Sequence, residues 1–257
     1  MGGVGEVQAW LIVSFVVHLI VLGAGEVYLY KTRQVLTRWW ARRVCGAVPA
    51  RRADPRRPFW EMRLATFQVL REDSSPRPAV LFAGDSLTNA FEWAECVSRD
   101  GAPLVVNRGI TGVGVDFLVE HFEEIFVPGY AVHQVFLMIG VNDVRAPTFI
   151  MDRFMAAYDT LLAQLLTHFA PDAIYLQSLL PMRLDGVPPA VIPAVNARIR
   201  ALAESKGVTF IDLFPALADA QGRLADKCSL GGVHISAEGY RRWVEGLRPH
   251  LERVAGA

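Results

Sequence analysis

Five short apolar runs, at residues 79–83, 104–106, 135–139, 174–176 and 208–211, constrain this chain more than any other feature. Each is too short for a helix and shows no polar alternation, the pattern of a strand covered on both faces. Between them lie stretches with helical periodicity at about 114–127, 149–169 and 189–206. A last helix is expected from Ser236, a suitable N-cap, to about Leu251. Another is expected over residues 59–71. Alternation of this kind predicts an α/β fold with a parallel sheet between two layers of helices.

In such a sheet, ligands bind beyond the carboxyl ends of the strands. The residues that follow the runs are therefore the candidates for chemistry. They are Gly84-Asp85-Ser86-Leu87 after the first, Asn107-Arg108-Gly109 after the second and Gly140-Val141-Asn142-Asp143 after the third. His234 stands just ahead of the last helix. A serine hydroxyl becomes a nucleophile when a base takes its proton, and an imidazole titrates near neutrality. An oxyanion needs donors aimed at it. The backbone N–H groups of Ser86 and Gly109 and the side-chain amide of Asn142 supply three. Acyl transfer is the chemistry these residue types share.

In this order and spacing the residues resemble those of the SGNH hydrolases, also called the GDSL esterase/lipase family, over residues 79–250. Ser86, Gly109, Asn142 and His234 stand where the four name-giving residues stand, and Ile235-Ser236-Ala237-Glu238-Gly239-Tyr240 is a common family continuation. The resemblance implies a three-layer α/β/α sandwich of flavodoxin-like appearance with a five-stranded parallel sheet. It also implies hydrolysis of esters or thioesters, acetylated sugars and lysophospholipids included, without metal or other cofactor. One position departs from it. The family has Asp three residues before the histidine, and here Leu230-Gly231-Gly232-Val233-His234 puts glycine there. Three arrangements stay open: a backbone carbonyl near Gly231 orients His234, Asp226 reaches in from upstream, or catalysis has been lost. The expected function is thus a serine esterase or acyl hydrolase working through a Ser-His dyad or incomplete triad. The alternative is a non-catalytic subunit of a larger membrane complex. Loops 145–150 and 181–193 are the expected walls of the substrate site.

Composition bears on the rest. Hydrophobic residues make up 52% and charged residues 20%, which excludes an intrinsically disordered chain. Three cysteines with no Cys-x-x-Cys pair exclude a disulfide scaffold and a zinc-finger pattern. Net charge is zero overall, but residues 1–57 carry +6 and the remainder −6. The acidic body has no electrostatic footprint for nucleic acid. Three lysines against 23 arginines point to a GC-rich bacterial genome.

Residues 9–25 run for 17 positions without a formal charge. With their flanks they make a helix of about 36 Å, against roughly 30 Å of hydrocarbon. No lysine or arginine precedes the run, so it does not read as a secretory signal peptide. Nine basic residues follow it, from Lys31 to Arg57. Basic flanks stay cytoplasmic. The expectation is a bacterial inner-membrane protein with its amino terminus outside and its main domain in the cytoplasm. Its parts are an anchor at 1–30, a basic amphipathic segment and linker at 31–57, and a hydrolase-like domain at 58–257. Membrane lipids, and other membrane subunits met through residues 7–45, are the expected partners. His18, an ionisable group in mid-span, is a candidate intramembrane ligand or partner contact.

Overall fold

The structure is a computed structural model that describes residues 54–72, 78–97, 104–129, 131–184 and 187–251. The anchor, the amphipathic segment and His18 lie outside the described residues. Among the described residues, no helix is long and apolar enough to cross a membrane.

One compact unit spans Arg56–Ala257. It opens with helix α1 (Arg57–Glu72), whose first turn takes in Pro58. Proline is tolerated there because first-turn N–H groups have no helical partner. Arg57, expected in the linker, therefore belongs to this helix together with Pro58. Five strands follow in a single parallel sheet: β1 (Pro78–Gly84), β2 (Leu104–Gly109), β3 (Ala131–Met138), β4 (Ile174–Gln177) and β5 (Thr209–Ile211). Their order is β2-β1-β3-β4-β5. Every residue from Ala79 to Ala83 is at most 1% exposed, the burial its uninterrupted apolar run implies.

The helices are α2 (Ser86–Asn89), α3 (Trp93–Val97), α4 (Val115–Glu120), α5 (Phe122–Phe126), α6 (Val141–Val144), α7 (Met151–His168), α8 (Val191–Lys206), α9 (Phe214–Leu217) and α10 (Ala237–Leu251). A single helix over 114–127 is not what forms. His121, at φ −112° and ψ 33°, leaves helical geometry and separates α4 from α5, beyond which Phe122, Ile125 and Phe126 are buried. Ser236 does cap α10, its Oγ accepting from Gly239 N at 3.4 Å. A small hairpin, β6 (Ser229–Leu230) and β7 (His234–Ile235), precedes that helix.

The strand order places the site. From β1 the chain crosses to β2 on one side and returns to β3 on the other. Such a reversal opens a crevice at the carboxyl ends of the two central strands. Ser86 leaves β1 directly into that crevice, and Asn142 follows β3.

Candidate active site

Ser86 is the first residue of α2, a single turn that begins two residues past the end of β1. Asp85 caps this turn, its Oδ1 accepting from Leu87 N at 2.9 Å. A helix cannot use its own first N–H groups, so the Ser86 N–H is left for another acceptor. Its Oγ lies 3.1 Å from Nε2 of His234. The histidine is held out on β7 and is exposed, whereas Ser86 is half-buried. Residues 148 positions apart in the chain thus meet within hydrogen-bond reach.

The expected oxyanion donors are arranged unequally. Gly109, at the end of β2, packs against α2 so closely that a Cβ there would lie 2.3 Å from the Asn89 backbone nitrogen. Only glycine permits that approach. Its N–H, however, is already donated to Asn107 Oδ1 at 2.9 Å. It is not the free donor the sequence suggested, and turning to an oxyanion requires it to leave or share that bond. Asn107 is fixed in turn by its own amide, which reaches the carbonyls of Thr88, Asn89 and Phe91. Asn142, on α6, donates one amide hydrogen from Nδ2 to Val113 O at 2.9 Å. The second hydrogen on Nδ2 remains for a ligand.

Neither expected orienter of His234 is in place. Asp226 is drawn off by Arg183, with which it forms an ion pair, and its side chain is 87% exposed. Gly231 sits at φ +74° and Gly232 at φ +85°, in the turn of the β6–β7 hairpin. Among the described residues, no group hydrogen-bonds Nδ1 of His234.

Two carboxylates of the strand-end motifs have environments that the sequence did not disclose. Asp85 is 1% exposed, and burial pushes its pKa up to about 7, opposed by the Leu87 N–H and reinforced by the charge of Asp143. Asp143 is pushed up to about 6, again chiefly by burial, with the Val115 N–H pulling the other way. Both oxygens of Asp143 take the Val115 N–H, at 3.2 and 3.3 Å. The strand-end motifs contain both residues, but spacing alone carries no signal of their desolvation. Tyr240, from α10, donates to Leu87 O at 2.9 Å and so ties the last helix to the serine turn.

The loop that follows β4 borders a cavity of about 330 Å³, with Met182, Leu184 and Val187 as apolar walls and Arg223 at its edge. Its Arg183 N–H bonds Gly232 O at 2.7 Å, which joins this loop to the hairpin bearing His234.

The sequence that carries this hydroxyl and this imidazole matches a known family. The model of the GDSL-like Lipase/Acylhydrolase family covers residues 82–242. The chain belongs to this family. The GDSL-like fold is shared with a GDSL-like lipase from Bacteroides thetaiotaomicron, at 19% identity and a TM-score of 0.64, over 74% of this chain and 97% of that one. It is shared with an acetylxylan esterase from Geobacillus stearothermophilus, at 21% identity and a TM-score of 0.56, over 70% and 94%. A Streptococcus pneumonia protein provisionally described as a platelet activating factor matches at 23% identity and a TM-score of 0.66, over 86% and 99%. No curated protein matches the sequence.

Proposed function

We propose that this GDSL-like protein is a membrane-anchored serine acyl hydrolase that uses a Ser86–His234 dyad. The observation that carries the reading is the 3.1 Å separation of Ser86 Oγ and His234 Nε2. In the first step the Ser86 oxygen bonds to the ester carbonyl carbon while its proton passes to His234. The Ser86 N–H, the second hydrogen of Asn142 and the Gly109 N–H, shared with Asn107 Oδ1, steady the oxyanion. Collapse breaks the bond to the alcohol, which leaves with the proton from His234. Water then gives a proton to His234 and its oxygen to the acyl carbon, releasing the acid and restoring Ser86. An uncharged run at residues 9–25 that would hold the domain near a bilayer favours a lipid or lysolipid ester. The lipase and the acetylxylan esterase among the structural neighbours are in keeping with ester chemistry.

The alternative, a non-catalytic subunit of a membrane complex, draws on the absence of a carboxylate at position 231. One experiment separates the two. A fluorophosphonate probe should label the wild-type chain and not Ser86→Ala. A folded wild-type sample that takes up no label ends the hydrolase reading and leaves the subunit.

A further inference from the structure

Helix α1 lies outside residues 82–242, which the family model covers. Yet its side chains, with Arg56 just ahead of it, reach the end of β2 that carries Gly109 and the turn beyond it. Arg56, one residue ahead of the helix, donates from Nη1 to Gly112 O at 2.9 Å. Trp60 Nε1 donates to Thr111 O at 2.8 Å. Arg63 donates from Nε to Gly109 O at 3.3 Å and from Nη2 to Asn107 O at 3.2 Å. Positions 56, 60 and 63 fall on one helical face, and Phe67 continues it, 1% exposed between the guanidinium groups of Arg63 and Arg108 at 4.7 and 4.5 Å.

All four acceptors are backbone carbonyls. A trans peptide is planar, so holding its oxygen also fixes the direction of the following N–H. Arg63 holds the oxygens of Asn107 and Gly109. It therefore fixes the two peptide planes that flank the 108–109 peptide, the one bearing the Gly109 N–H. The far end of the loop is held separately, by Asn142 on Val113 O and by Asp143 on the Val115 N–H. Released from α1, residues 107–109 keep their pairing with β1 and the far clamp stays, but the carbonyls of 107, 109, 111 and 112 lose the donors that set their peptide planes.

We propose that Trp60 and Arg63 are positioning residues for the reaction, setting the aim of the Gly109 N–H through the end of β2 and the turn that follows it, residues 107–112. The active site then extends beyond the family domain into the helix that follows the amino-terminal segment. This inference rests on the hydrolase reading. Its test uses the full chain, p-nitrophenyl acetate as substrate and the fluorophosphonate probe. Trp60→Phe keeps a ring to pack on Phe117, 5.2 Å away, and removes only the donor. Arg63→Gln removes the fork that spans two carbonyls. Each is expected to lower kcat about tenfold with KM within about twofold, since small misplacements of a reacting group act on the transition state. Amide hydrogen exchange over 107–113 should quicken in both variants, with β4 and β5 unchanged. Arg57→Gln, which breaks only an exposed pair with Glu61, should match wild type throughout. A wild type that labels, with both variants at wild-type kcat and exchange, overturns the positioning role and leaves the hydrolase reading intact. An unlabelled wild type overturns both.

Discussion

Asp85 sits directly before the serine with almost no contact with water, and its charged form lacks solvation there. Burial raises its pKa from 3.8 to about 7, so the folded state binds more protons than the unfolded chain between those values. Stability then falls as pH rises through that window and levels off above it. Three pH units correspond to roughly 4 kcal/mol at most. Asp85→Asn keeps an oxygen to accept the Leu87 N–H and removes the ionisation. Its Tm should change less than that of wild type between pH 5 and pH 8, and at pH 8 it should be the higher of the two. A wild-type Tm that rises over this range would show that the carboxylate is not held in the neutral form. Asp143, raised to about 6 by the same cause, adds a slope of the same sign.

At the scale of the element, the β6–β7 hairpin decides what becomes of the histidine. Its turn places two successive glycines at positive φ, a conformation that disfavours side chains. Space is not the obstacle, since a Cβ on Gly231 would meet nothing within 4 Å. Aspartate tolerates that region better than most residues. Gly231→Asp should therefore fold, at a cost of about 1–2 kcal/mol. It should raise the labelling rate of Ser86 more than tenfold, in the direction of the large effect a triad carboxylate exerts. Unchanged labelling in the folded variant would show that position 231 does not serve Nδ1. The five strands were legible in the sequence because doubly buried strands must be apolar throughout. The long helices were legible because each packs one face. The hairpin was not, since two residues per strand leave no period to read. The single-turn helices α2 and α6 were visible only as strand-end motifs. Among the candidate site residues, Ser86 and Asn142 could be singled out by their position after strands and His234 by its position ahead of the last helix. The engagement of the Gly109 N–H by Asn107, and the capture of Asp226 by Arg183, depend on side-chain reach that spacing does not encode.

The whole molecule joins a domain of net charge −6 to a segment of +6 that begins with an uncharged run. With the basic residues retained inside, the domain is expected in the cytoplasm. A reporter that fluoresces only there, fused after Ala257, should be bright, and a dark but well-expressed fusion would reverse the orientation. The fold brings Ser86 and His234 to one rim, and there the proposed base stands uncovered among the described residues, His234 being exposed where Ser86 is only half so. An acyl group left on the serine would meet bulk solvent at once. Such an open rim gives cleavage by water the advantage over handing the acyl chain to a second alcohol, for which a sheltered pocket must first exclude the solvent.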